Sequence, residues 1–333
     1  MNINHLLAIC LCVVLFLGCG KTPGDTEIYS ETETVSFADG IPADWETAGC
    51  EIDNSEGRGD SQSLKIMAGG SIVCQKTGSE TVDMAEFYLK GEGVVRLYID
   101  GELKNELEVT DDWQRCAGYL PAAQHEIKWE CVAVPGRASV GMLKSGASVA
   151  GVYMDDVRFA SGFAVGKPYG GGIVACVEPD GKAGLIVAKT NQTTEQGISW
   201  DAEKGGDTGA TETGYGHGMS NTQKMVSALG SGNYAASIVY GQMIDGYNDW
   251  FLPSREELEH IGKNCRAIGN FSISGWYWSS SDYAYSEGFM GRPSGWKAAP
   301  VCINPDGLMC GNSPVSEMRY QQYQVRAVRK FSE

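Results

Sequence analysis

Between Val95 and Ile99 the apolar Val95, Leu97 and Ile99 alternate with Arg96 and Tyr98, the two-residue period of a strand with one buried face. Asp100-Gly101 then supplies a tight turn into Glu102–Val109, so VVRLYIDGELKNELEV predicts a β-hairpin. Ile127, Trp129 and Cys131 alternate with Lys128 and Glu130 in a further strand. Across residues 31–160 short strands follow one another between turn signals, with no amphipathic helix, which predicts an all-β sandwich. A Gly-rich run, Phe163–Ile173 (FAVGKPYGGGI), marks the end of this region, and residues 161–170 read as a linker.

The pattern changes over residues 171–333, where helical and strand periods mix with long polar loops. Met225, Val226 and Leu229 share one face of a helix over Thr222–Leu229, with Ser220-Asn221 as caps and Gly230 as the stop. In Asp249–Leu258 (DWFLPSREEL), Ser254 and Glu257 have capping-box spacing: the hydroxyl accepts a free helix N–H while the carboxylate reaches back to the Ser254 amide. Pro253 keeps the approach extended, and Leu258 and Ile261 fall on one face. Trp276–Ser280 reads as a strand, in which either Tyr277 or the Trp276/Trp278 pair faces a core. The chain therefore divides into two domains, an all-β sandwich followed by an α+β domain.

The ends decide the compartment. Leu6–Leu17 is an unbroken apolar run of 12 residues, short of the roughly 20 that span a bilayer but suited to a signal-peptide core. It ends in Phe16-Leu17-Gly18-Cys19, which resembles a bacterial lipobox with Cys19 as the acylated residue, although the leader MNINH lacks Lys and Arg. The reading is a signal peptide over 1–18, a polar tether over 19–30, and a protein held to the outer membrane or cell surface of a bacterial envelope by its lipid anchor alone. Eight cysteines lie beyond Cys19, four in each domain: Cys50, Cys74, Cys116, Cys131, then Cys176, Cys265, Cys302 and Cys310. In an exported protein these read as disulfides of unassigned pairing, with buried free thiols as the alternative.

Net charge is −16, of which residues 1–160 carry −13 and the remainder −3. An acidic surface offers nothing to phosphates, which argues against a nucleic-acid partner. No metal-ligand spacing, nucleotide loop or nucleophile motif occurs, so no metal, cofactor or catalytic residue is assigned and the chain reads as a non-enzyme.

Two resemblances extend this reading. FADGIPADWETAG near Phe37–Gly49, LYIDGEL at Leu97–Leu103, HEIKWECV at His125–Val132 and VYMDDVRF at Val152–Phe159 resemble the jelly rolls of carbohydrate-binding modules. There Trp45, Trp113 and Trp129 are sugar platforms or core residues, and Asp155-Asp156 a calcium ligand pair or an edge feature. In the second domain Gly214–Gly230, Gly246–Leu258, Trp276–Ser281 and Tyr323–Arg329 (YQVRAVR) occur in the order found in the Legionella collagen-like protein C-terminal domain and Fibrobacter succinogenes major paralogous domain families. Ala327 stands where that closing strand often has cysteine, and no collagen-like repeat precedes the domain. The resemblance implies a C-type-lectin-like α+β fold in which Trp250, Pro253, Ser254, Glu257, Trp278 and Arg326 are structural. It also implies a glycan or another surface ligand as partner, the alternative being an adhesive envelope protein that binds protein. Aromatic residues interleaved with Ser, Asp and Gly suit such recognition, so Tyr283, Tyr285 and Trp296 are the expected contact residues, with His217 of the YGHG loop.

Overall fold

A computed structural model describes residues 33–59, 62–132, 151–272, 275–283, 297–302 and 317–333. Cys19, Tyr285, Trp296 and Cys310 lie outside the described residues, as do the side chains of Tyr283 and Cys302. The fold is mostly β, with few helices.

The first nine strands are β1 (Glu33–Val35), β2 (Glu46–Asp53), β3 (Ser63–Thr77), β4 (Met84–Gly91), β5 (Gly93–Ile99), β6 (Glu102–Val109), β7 (Gln114–Tyr119), β8 (Gln124–Val132) and β9 (Gly151–Ala160). They form one antiparallel system in the order β6-β5-β8-β3-β9-β4-β7, with β1 on β9 and β2 on β3. The long β3 makes this a sandwich. Leu64–Met67 pair with β9, while Ser71–Thr77 pair with β8. Gly69 (φ 83°) and Gly70 sit at the changeover, and a Cβ on Gly70 would lie 2.6 Å from the Gly49 carbonyl oxygen, so only glycine allows the bend. Ile72, Ile127 and Trp129 from one layer then meet Leu64, Phe87 and Met154 from the other in a single core. Trp129 is fully buried there, edge-on to Phe87 at 5.6 Å and stacked with half-buried Trp45 at 5.9 Å. Trp129 is thus a core residue.

The expected hairpin is β5–β6, joined by Asp100 (φ 53°) and Gly101 (φ 77°), the double left-handed turn that matches strand twist. Asp155 and Asp156 have a local role: Asp155 accepts from the Arg58 amide at 2.8 Å and Asp156 pairs with the Arg58 guanidinium at 2.6 Å.

The disulfide expectation is corrected for the six cysteines whose side chains are described, none of which forms a disulfide. The register explains this, because Cys50 opposes Ile66, Cys74 opposes Ile127, Cys116 opposes Phe87 and Cys131 opposes Val95. No cysteine of the sandwich faces another across a ladder.

The rest of the chain builds β10 (Pro168–Tyr169), β11 (Gly172–Val177), β12 (Ala183–Ala188), α1 (Gly218–Leu229), α2 (Arg255–Lys263), α3 (Cys265–Ile268), β13 (Trp276–Tyr283), β14 (Lys297–Cys302), β15 (Glu317–Met318) and β16 (Val328–Ser332). One sheet runs β10-β11-β12-β16 and another β13-β14-β15. The apolar runs of β11 and β12 are buried on both faces. One face packs Val174 and Ile186 with Met225 of α1, Trp200, Trp250 and Trp278; the other packs Leu185 and Val187 with Leu258, Ile261 and Tyr277. Tyr277 and Trp278 are therefore both buried, because β13 lies between two cores rather than against one.

Two boundaries move. α1 begins at Gly218 with His217 as its N-cap, so Ser220 and Asn221 lie inside the first turn. The closing strand begins at Val328, and Tyr323–Ala327 instead run through isolated bridges such as Ile198 to Tyr323. The run 161–170 is packed: Phe163 and Ala164 are buried, and Lys167 pairs with Asp83 of the sandwich at 2.7 Å.

Candidate functional site

One concavity lies where β5–β8 of the sandwich meet Val165, Gly166 and Ala267, a cleft of about 250 Å³. Its centre is Asn105. In β6 this residue shares the phase of Leu103, Leu107 and Val109, and it is 6% exposed, yet it is polar. Pairing slips by one residue between Leu97 and Tyr98, so Leu97 opposes Asn105, Tyr98 opposes Leu103 and Lys104 is left over. Asn105 thus keeps the inward phase of Leu107 and Val109 beside Leu97, and the slip that follows leaves Lys104 unpaired on the rim. The Asn105 carboxamide oxygen is fully buried and finds no hydrogen-bond partner among the described residues. A buried acceptor left unmet costs about 1–3 kcal/mol.

The walls follow from local backbone demands. Gly118 faces inward from β7, where a Cβ would lie 2.6 Å from a Leu97 methyl, so this wall stays bare. Gly118 also bridges to Val165, which fixes the opposite wall against the sandwich. Leu97, Ile99, Val165 and Ala267 make the lining largely aliphatic.

The charged groups of the rim are closed into pairs. Lys104 meets Glu102 at 2.6 Å. His125 places Nδ1 2.6 Å from Asp100 and Nε2 3.1 Å from the Pro121 carbonyl oxygen. The His125 contact, then a 2.9 Å bond from the Glu126 amide, hold the Asp100 carboxyl below the usual carboxylate range. Both imidazole nitrogens are occupied, so His125 orders the rim and has no free nitrogen with which to move a proton. Among the described residues of the cleft, no nucleophile stands beside a base.

Of the expected binding residues, Tyr283 ends β13, and Tyr285 and Trp296 lie outside the described residues. His217 is exposed, and the loop that carries it is tied to α2. Glu257 accepts from the Gly216 amide at 3.0 Å and from Ser254 at 2.7 Å, while Glu256 accepts from the Tyr215 amide at 2.8 Å. The capping box is complete, Ser254 accepting from the Glu257 amide. From that loop it is Tyr215, rather than His217, that lines a second hollow of about 230 Å³ with Glu178, Leu185 and Lys330.

Trp250 and Trp278 are buried and donate from their indole nitrogens to the Ile244 and Ile198 carbonyl oxygens. Arg326 is buried and meets no carboxylate; it donates to the carbonyl oxygens of Ala188, Lys189, Gly269 and Asn270, and burial pulls its guanidinium down to about 10. Arg329 instead clasps Asp249 through two bonds of 2.7 and 2.8 Å. Among the described residues no cluster of three His, Cys, Asp or Glu could hold a metal ion, and no helix is long and apolar enough to cross a membrane.

No family model and no curated protein matches the chain. Solved structures similar to it include the K3 cleaved adhesin domain of Lys-gingipain from Porphyromonas gingivalis W83, at 11% identity over 39% of this chain and 98% of that one, with a TM-score of 0.31. A family 35 carbohydrate-binding module from Clostridium thermocellum matches at 12% identity over 39% of this chain and 97% of its own, TM-score 0.27. CBM51 from Clostridium perfringens GH95, in complex with methyl-galactose, matches at 12% identity over 38% of this chain and 100% of its own, TM-score 0.25. At these values the likenesses assign neither a ligand nor an activity.

Proposed function

We propose that the protein is a non-catalytic, lipid-anchored surface protein that binds a glycan or another extracellular ligand in the cleft around Asn105. The observation that carries this reading is a buried acceptor without a partner among the described residues, at a strand position whose neighbours in phase are apolar, on a residue that lines a concavity. A residue that costs stability and serves no internal bond fits a site built for an incoming donor.

The chain is organised as a jelly roll over 31–160, a junction over 161–170 and a lectin-like α+β domain over 171–333 of the Legionella collagen-like and Fibrobacter paralogous type. The ordered motifs support that assignment. The apolar leader and Cys19 support export and acylation, which place the protein on the bacterial envelope.

The test is a glycan-array measurement on the purified protein beside Ala267→Phe, which fills the cleft from the side opposite Asn105. Selective binding that disappears in Ala267→Phe, with an unchanged unfolding midpoint, is the expected result. A blank array, or binding indifferent to Ala267→Phe, contradicts the proposal. Loss of fatty-acid labelling in Cys19→Ser is expected for the anchor, and retained labelling would remove it.

A further inference from the structure

The chemistry of the cleft restricts what it admits. The unpartnered Asn105 oxygen requires a ligand that brings an O–H or N–H donor. Leu97, Ile99 and Val165 require that the same ligand present a face of carbon and hydrogen. Charge adds a third condition. The Lys104 ammonium is taken by Glu102 and the His125 ring by Asp100 and the Pro121 carbonyl, so neither is free to neutralise an anion. An anionic ligand would have to displace one of these pairs and would meet Asp100 and Glu102 as it entered.

Resting on the cleft as the binding site, we infer that its ligand is an uncharged sugar unit, held by a hydroxyl or amide N–H donated to Asn105 with its C–H face on Leu97, Ile99 and Val165. Sulfated and uronic-acid units are disfavoured by the paired rim and by the carboxylates of Asp100 and Glu102. Both halves of the protein contribute, since Val165 and Ala267 close the cleft opposite the sandwich.

The experiment is isothermal titration calorimetry of the purified protein with methyl glycosides of glucose, galactose, mannose and N-acetylglucosamine. Glucuronate and sulfated N-acetylglucosamine serve as charged counterparts. The expected result is saturable binding of at least one neutral glycoside, with its charged counterpart about tenfold weaker or more. Asn105→Leu weakens that binding by about tenfold to a hundredfold, because the buried donor of the ligand is left unmet. The same substitution leaves the thermal unfolding midpoint level or higher, which a structural role for Asn105 would not allow.

Three results overturn the inference: charged sugars binding as well as neutral ones, undiminished binding by Asn105→Leu, or heat from none of the neutral glycosides. The underlying cleft reading fails separately. It falls if a glycoside binds with unchanged affinity to Ala267→Phe, since the site would then lie elsewhere.

Discussion

Replacing Asn105 with leucine should make the protein more stable, which is an unusual expectation for a change at a 6% exposed residue. The carboxamide oxygen has no partner among the described residues, so its removal returns the desolvation cost of an unmet buried acceptor, about 1–3 kcal/mol. Leucine has similar bulk, and the position lies between Leu97 on the neighbouring strand and an aliphatic cleft wall, so the new methyl groups enter an apolar setting. The expected gain is therefore ~1–3 kcal/mol. At ~2–4 °C per kcal/mol for a unit of this order, the thermal midpoint should rise by several degrees. Urea unfolding followed by tryptophan fluorescence is a suitable assay, because Trp129 lies in the core of the same sandwich. The midpoint should rise with an unchanged slope, the sign of altered stability rather than altered compactness. A loss of ~1 kcal/mol or more would refute the reasoning, since it would mean the carboxamide is bonded in the folded protein.

Other consequences can be checked with the same preparations. Arg326→Met should destabilise the fold by ~3–5 kcal/mol in calorimetric unfolding, because four backbone carbonyl oxygens lose their shared donor; a loss below ~1 kcal/mol would show that those carbonyls find other partners. Asp249→Asn should cost about 1 kcal/mol at neutral pH, as expected for a bidentate pair whose carboxylate is half exposed. Arg329 holds the Asp249 carboxyl below its usual range, so this contribution is present above the unfolded carboxylate range near ~4 and lost as pH falls through the lower folded value. The difference between wild type and variant in urea should accordingly vanish in acid, and persistence there would contradict the assignment. Burial pushes the Cys116 and Cys176 thiols up to about 12, so iodoacetamide at mildly alkaline pH should label them only after unfolding. Rapid labelling of the native protein would contradict that placement.

Much of the sandwich is legible in the sequence because its strands have one wet face. Val95, Leu97 and Ile99 declare their phase, and Asp100-Gly101 declares the turn. The bend in β3 is less visible, since Gly69-Gly70 signals a break without saying that the strand crosses between layers. Asn105 was open to recognition as the lone polar residue in phase with Leu103, Leu107 and Val109. The local pattern concealed it, because in a strand so rich in Glu and Lys one more polar residue does not stand out. The role of Gly118 depends on its contact with Leu97, 21 residues away, and of Ala267 on a junction between distant segments. Neither leaves a periodic trace. In the C-terminal half the capping box could be read directly, because it is chemistry within four residues. Alternation failed at Tyr277 and Trp278 for a physical reason: a strand between two cores has no solvent face, so apolar and polar positions do not take turns.

The most direct test of the central claim is a titration of the labelled protein followed by NMR, with the Asn105 side-chain amide identified by its disappearance in Asn105→Leu. A neutral glycoside that binds should shift that resonance saturably, together with the backbone amides of Gly166 and Ala267 from the facing wall. A glycoside that saturates the protein while all three resonances stay in place would contradict the account.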